Sequence, residues 1–256
     1  MAEVEQLPSL TFLGHSTVRL EVGGRRILTD PVLRRRITFL TRHAVPLRPH
    51  HYAAADLVLI SHLHHDHCDL PSLRALGDVP MLVPVGAGEW LRSKGFPDVH
   101  ELAEGETYVD GPLRVRAVTA LHHGKREPFG PHAHAIGFVI EAGPACVYFA
   151  GDTDLYPGMG ALADEVDVAL LPVWGWGPNL GPGHLDPLRA AEAAALIRPR
   201  FAVPVHWGTL YPYGLRRALP SRLYDPPRAF AAAVEQLGIP VTVLHTAPGD
   251  PVSFVP

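Results

Sequence analysis

Residues 56–69 read DLVLISHLHHDHCD, and the stretch changes character halfway along. Leu57-Val58-Leu59-Ile60 is an unbroken apolar run of strand length, as expected of a strand buried on both faces. His62, His64, His65, Asp66 and His67 follow at once, a density of imidazole that no apolar core needs. Imidazole nitrogens and carboxylates are the ligands that zinc and similar divalent ions prefer. If the chain runs extended through the first three, residues 62, 64 and 66 point to one side and a turn then brings in His67. Two histidines would serve one cation, and Asp66 with His67 a second.

HLHHDH after a buried strand resembles the HxHxDH signature of the metallo-β-lactamase fold superfamily, whose members are mostly dinuclear metallohydrolases. The resemblance implies an α/β (α+β) fold, an αββα sandwich of two mixed β-sheets flanked by helices. Alternating strands and helices with polar residues at strand ends suit that architecture. No repeat, linker or low-complexity boundary divides the chain, so residues 1–256 are expected to form a single hydrolase domain of this type.

A hydrophobic content of 47% is enough for a large core, and the net charge of −4 argues against a chain-wide nucleic-acid-binding surface. Cys68 and Cys146 are too few for a disulfide framework and fit a reducing compartment. The start, MAEVEQLPSL, lacks the basic and apolar segments of a signal peptide, and no apolar run is long enough to span a bilayer. These features predict a cytoplasmic protein without a transmembrane segment, and leave association into a homo-oligomer open.

LTFLGHSTVRLEV at 10–22 reads as a strand pair interrupted at Gly14-His15-Ser16, and Gly23-Gly24 turns it into a further strand ending at Asp30-Pro31. This opening resembles the "GHST…LTDP" start of the superfamily branch that contains N-acyl phosphatidylethanolamine phospholipase D and bacterial ascorbate-6-phosphate lactonase. It implies that His15 and Asp30 stand behind the metal ligands, since ligating histidines usually donate their other N–H to a neighbour. Residues 32–52 read as a loop rich in Arg, His and Pro, placed to draw an anionic small-molecule substrate toward a pocket.

Leu113 to Val118 alternates as a strand and delivers His122 and His123, between which local chemistry does not choose. The branch has a Pro-Ala-x-His segment with an Arg four residues on, and Thr119-Ala120-Leu121-His122 with Arg126 resembles that frame, with Thr119 in place of Pro. Gly151-Asp152-Thr153 follows the buried run Val147–Ala150, where a carboxylate can bridge two cations. Trp174 and Trp176, in a loop shaped by Gly and Pro, are expected to wall a pocket. His184-Leu-Asp186-Pro187 opens an alanine-rich helix capped by Asp186. It is similar to the branch's His-x-(Asn/Asp)-Pro, which makes His184 a candidate acid or oxyanion contact. His206 stands in an HWGT segment like the branch's own.

Carried onto this chain, the resemblance implies that His62, His64 and His122 hold one metal and Asp66, His67 and His206 a second, with Asp152 bridging. The cofactors are then two divalent ions: the N/O set favours zinc and also accepts manganese or iron. A bridging hydroxide would attack a phosphodiester, with Asp66 as proton acceptor and His184 as donor. The alternatives are a lactone or ester hydrolase of a small, possibly phosphorylated metabolite, an RNA-processing nuclease, and a metal-binding module without catalysis. The acidic balance disfavours a nucleic-acid partner, and a complete ligand set disfavours a mere binding module.

Overall fold

The computed structural model describes residues 7–254; the first six residues, on which part of the N-terminal reading rests, and the last two lie outside them. Strand alternation builds the layers. In the run after Asp56, Leu57 and Leu59 turn toward a second sheet, while Val58 and Ile60 turn toward helices on the other side. Apolar side chains on both faces are what a strand covered on both sides requires.

The first sheet has six strands in the order Ser9–Gly14, Thr17–Val22, Arg25–Thr29, Leu57–Leu59, Met81–Pro84, Val99–Leu102. Its opening meander is antiparallel and its later pairs are parallel. The second sheet has seven, in the order Thr242–Val243, Phe201–Val205, Val168–Pro172, Ala145–Phe149, Ile136–Ala142, Leu113–Thr119, Thr107–Asp110. It is parallel through Ala145–Phe149 and antiparallel beyond. Phe12, Leu20 and Leu59 from one sheet and Phe138, Val147 and Leu171 from the other share one buried cluster. This is the expected αββα sandwich of two mixed sheets.

Helices Leu70–Leu76 and Gly88–Ser93 cover the first sheet through Leu73 and Leu91. Helices Pro187–Ile197 and Pro226–Leu237 pack together beside the second, the former burying Ala190, Ala191, Ala193, Ala194 and Ile197. Asp69 and Asp186 cap as their positions predict: Asp69 accepts from the Ser72 N–H at 3.1 Å, and Asp186 from the N–H groups of Leu188 and Arg189, both at 2.9 Å. Each such cap contributes about 1 kcal/mol.

One expectation needs correcting. Residues 32–52 are not a plain loop: Arg36–Ile37 and Leu40–Arg42 pair as a hairpin, Leu210–Pro212 joins them, and Pro49–Tyr52 is a helical turn. The arginines concealed this third sheet because Ile37, Leu40 and Leu210 bury themselves only in a small cluster with Val32. No helix among the described residues is long and apolar enough to cross a membrane.

Candidate metal centre

Parallel strands deliver polar groups from their carboxyl ends, the edge where α/β sheets build sites. Asp30 follows Arg25–Thr29, His62 to His67 follow Leu57–Leu59, Asp152 follows Ala145–Phe149, and His206 follows Phe201–Val205. His122 arrives on the antiparallel Leu113–Thr119. His15, Asp30 and His206 hold φ of 57°, 34° and 63°, conformations that cost non-glycine residues about 1–3 kcal/mol each. All three stand at this edge, so the strain is concentrated where the side chains converge. Gly151 has φ 62°, and a Cβ on it would stand 2.5 Å from Ser61 Cβ. Only glycine lets the Asp152 turn close against the strand that carries His62.

Three imidazoles meet in one group. His64 Nδ1 lies 3.0 Å from His62 Nε2 and 3.2 Å from His122 Nε2. The outer nitrogens of the latter two face acceptors: His122 Nδ1–H donates to the Gly183 carbonyl at 2.7 Å, and His62 Nδ1–H to Ser61 Oγ at 3.0 Å. Ser61 Oγ spends its own proton on Asp30 at 2.6 Å, which leaves it an acceptor toward His62. The inner nitrogens of His62 and His122 therefore present lone pairs, and at most one proton, on His64, is left for the three. Burial pushes His62 well below the ordinary imidazole value, His64 to about 4, and His122 down as well. Converging neutral lone pairs repel unless a cation stands among them.

A second group gathers His15, Asp66, His67 and His206. His67 Nε2 is 3.1 Å from His206 Nε2, while its Nδ1–H donates to Asp30 at 2.6 Å. His206 Nδ1–H donates to the Trp174 carbonyl at 2.7 Å, so its inner nitrogen is again a lone pair. Asp66 Oδ2 is 2.9 Å from His15 Nε2 and 3.7 Å from His67 Nε2. Asp152 stands close to both imidazoles, with Oδ2 3.3 Å from His67 Nε2 and Oδ1 3.2 Å from His206 Nε2. It also belongs with His122 and His184 in a further convergence.

The electrostatics ask for positive charge. Burial opposes protonation of His67, but Asp152, Asp66 and Asp30 outweigh it and hold this imidazole well above its ordinary value. Burial alone would raise Asp152 and Asp66, yet the surrounding histidines hold both well below the usual carboxylate range, His206 and His67 above all for Asp152, His67 and His15 for Asp66. His206 itself is pushed down to about 3 by burial. Asp152 Oδ1 is buried without a hydrogen-bond partner, an atom for which a coordinated ion is the natural neighbour. Donor chemistry and the orphaned oxygen together fit two divalent cations at these residues.

The groups around the candidate ligands divide in ways the sequence did not show. Asp30 accepts from the Ser61 N–H at 2.7 Å as well as from His67, so one carboxylate orients both halves of the motif. Arg126 is 7% exposed and does not line the cavity. It donates to the carbonyls of Leu63 at 2.7 Å and Cys68 at 2.8 Å and to His65 Nδ1 at 3.0 Å, bracing the HLHHDH loop from behind. Trp174 is buried and fastened to Gly177, with its ring under Arg222, whereas Trp176 lines the cavity edge-on to Phe39. His123 faces His132 instead of the cluster. His184 Nδ1–H donates to the Gly181 carbonyl at 3.1 Å, turning Nε2 toward Asp152 Oδ2 at 3.5 Å.

The centre opens into a cavity of about 520 Å³ walled by Phe39, Leu40, Pro128, Trp176 and Leu180, with Asp66, Asp152 and His184 at its polar end. Sequence reasoning missed Phe39 and Leu180, which carry no chemical signature of their own. It also missed Ser61, although its place directly before His62 was a signal.

A family model described as "Beta-lactamase superfamily domain" matches residues 25–207. The chain is 31% identical over 264 residues to a UPF0173 metal-dependent hydrolase of Aeropyrum pernix, covering 96% of this chain and 97% of that one. An N-acyl-phosphatidylethanolamine-hydrolyzing phospholipase D 1 of Caenorhabditis elegans is 27% identical over 231 residues, covering 80% of this chain and 64% of that protein. Among solved structures, Igni18, a metallo hydrolase from Ignicoccus hospitalis, superimposes with a TM-score of 0.74 at 26% identity, covering 96% of this chain and 98% of that one.

Proposed function

Since the chain belongs to the beta-lactamase superfamily domain family, we propose that residues 1–256 act as one metal-dependent hydrolase domain that cleaves phosphodiesters with the aid of two divalent cations. The observation that carries this reading is the pair of ligand groups, His62, His64 and His122 beside Asp66, His67 and His206, set around Asp152 at the floor of an apolar cavity. Kinship with a metal-dependent hydrolase over nearly the whole chain and with a phospholipase D over most of it supports the same chemistry.

Cations held here would supply Lewis acidity and lower the pKa of water so that a nucleophile forms near neutral pH. The chain's own residues do the rest. Asp66, on the cavity wall, accepts the proton of the attacking water, and the His15 imidazole 2.9 Å from its Oδ2 steadies the carboxyl through the change. His184, with Nδ1–H tied to Gly181, presents Nε2 to the cavity; in its imidazolium form it gives the Nε2 proton to the leaving oxygen, and the proton that Asp66 took from water restores it for the next turnover. Phe39, Trp176 and Leu180 exclude bulk water and receive an apolar or ring-bearing substituent.

A second reading, hydrolysis of a carboxylic ester or lactone, has one observation in its favour: no Lys or Arg side chain is among the residues lining the cavity. Metal analysis of purified protein, with turnover of bis(p-nitrophenyl) phosphate and of a simple lactone after loading with zinc or manganese, decides. About two ions per chain and faster diester cleavage are expected, as two full ligand sets predict. Lactone preference would shift the assignment to the second reading. One ion or none, with no turnover of either compound, would leave only the fold.

A further inference from the structure

The arginines of residues 32–52 do not line the cavity; three of them, Arg35, Arg36 and Arg42, gather one step away from it. Arg35, Arg36, Arg42, His43, Arg216 and Arg217 surround a groove of about 620 Å³ on the small three-stranded sheet and the turn after it. Some arginines elsewhere are neutralised by acids, as Arg25 is by Asp110, Arg34 by Asp69 and Arg116 by Glu165. Arg35, Arg36, Arg216 and Arg217 are exposed and form no ion pair with a described carboxylate. Four unneutralised guanidinium groups around one concavity repel each other, and an anion relieves that repulsion.

Beneath them lies a fifth. Arg42 is 6% exposed, and its donors go to the carbonyls of Leu13, Val32 and Val45. Those partners carry no formal negative charge, so the buried guanidinium adds its field to the groove instead of being cancelled.

Groove and cavity are neighbours with a depression between them. A small depression of about 240 Å³ shares Thr38, Phe39 and Leu40 with the metal-centre cavity, and Arg36, Thr41 and Tyr213 with the groove. Arg36 lies over the exposed Tyr213 ring, and Thr41 sits in register between Arg36 and Tyr211. From Leu40 at the cavity to Arg42 at the groove is two strand residues, about 7 Å.

We propose that Arg35, Arg36, Arg216 and Arg217 form a subsite for a phosphorylated group at the far end of the substrate, whose scissile bond lies in the apolar cavity. This rests on the hydrolase reading and narrows it to substrates with an apolar or aromatic portion at the reacting bond and one or two phosphates about a strand step beyond. The groove is bounded by the Gly214–Arg217 turn and the net charge is −4, so a small phosphorylated group fits better than a nucleic-acid polymer.

The test uses the metal-loaded full chain and the paired variants R35Q/R36Q and R216Q/R217Q, all at exposed positions. Two diesters share a 4-nitrophenyl leaving group; one carries a hexyl arm, the other a 6-phosphohexyl arm. The phosphorylated ester should show a KM about tenfold below that of the hexyl ester, rising about tenfold in each paired variant with kcat held. The hexyl ester should be indifferent to the substitutions. Hexane-1,6-diol bisphosphate, titrated by calorimetry, needs no turnover and should bind wild type and lose about tenfold in the variants. If neither ester is cleaved but this binding and its loss persist, the hydrolase reading falls and the subsite stands. Equal KM values, or bisphosphate binding that the variants leave unchanged, would overturn the subsite. So would tighter binding of a 20-nucleotide single-stranded RNA with a steep salt dependence, which would make the groove a nucleic-acid surface.

Discussion

Asp30 offers the sharpest test of how the centre is held. It is fully buried and accepts three hydrogen bonds: from the Ser61 N–H at 2.7 Å, from Ser61 Oγ at 2.6 Å and from His67 Nδ1 at 2.6 Å. Asp30→Asn keeps the shape but turns one acceptor into a donor. The better orientation leaves the amide oxygen to His67 and Ser61 Oγ and sets the amide N–H₂ against the Ser61 N–H. A buried donor facing a donor costs about 1–3 kcal/mol, and His67 exchanges a charge-assisted bond for a neutral one, about another 1 kcal/mol. Burial pushes the Asp30 carboxyl up, so removing its charge offsets part of this, and a net loss of about 2–3 kcal/mol of folding stability is expected. The cation on the His67 side should bind about 10–100-fold more weakly, because a carboxylate behind a ligating histidine fixes its tautomer and basicity. At about 1.36 kcal/mol per decade, that is about 1.4–2.7 kcal/mol. Competition with a chromophoric zinc chelator, resolved into two sites, measures it, with urea unfolding of the metal-free protein alongside. One loosened site and one nearly unchanged is the expected pattern. Both affinities within twofold of wild type, despite lowered stability, would refute the role given to Asp30.

His184→Ala should cut turnover about 10²–10³-fold while metal content stays at the wild-type value, read by elemental analysis beside kinetics; full activity would reduce His184 to a helix-start residue. Gly151→Ala places a Cβ 2.5 Å from Ser61 Cβ at φ 62°, and should lower stability by about 2–4 kcal/mol; an unchanged urea midpoint would contradict the close packing of these two turns. Acid should destabilise the metal-free protein. His62, His64, His122 and His206 are pushed down by burial, His64 to about 4 and His206 to about 3, so between those values and about 6.5 the unfolded chain binds more protons and stability falls as pH falls. His67, pushed up, contributes the opposite sign, present below about 6.5 and lost as pH rises, but it is one imidazole against four. Urea midpoints of metal-free protein at pH 7 and pH 5 should therefore drop, and a rise would contradict the assigned tautomers.

The motif at 62–67 was legible because its chemistry is dense and local: no core requires four histidines and an aspartate in a row of six. Asp152 was legible in its Gly-Asp-Thr turn just past a buried strand, and His206 through an HWGT segment that resembles the branch's own. Arg126 was not. Its place four residues after His122 left open whether it stands behind the histidines or against a substrate, and only burial against Trp90 and three acceptors makes it a brace. The two tryptophans, two residues apart, looked equivalent, and only packing separates the buried Trp174 from the cavity-lining Trp176.

The sequence by itself determined, through apolar runs and alternation, which face of each strand is buried, while the sandwich was implied by the resemblance that the HLHHDH motif carries. It also determined the ligand types, because imidazole and carboxylate have a chemistry independent of their surroundings. Tertiary structure alone decided which nitrogen of each histidine faces inward, through acceptors as distant in the chain as Gly183 for His122 and Asp30 for His67. It alone brought Leu210–Pro212 to the hairpin of residues 36–42 and so gathered arginines from two remote segments around one groove. Local patterns encode what a residue prefers; hydrogen-bond partners and charge neighbours depend on chain closure over long sequence separations, which no local pattern records.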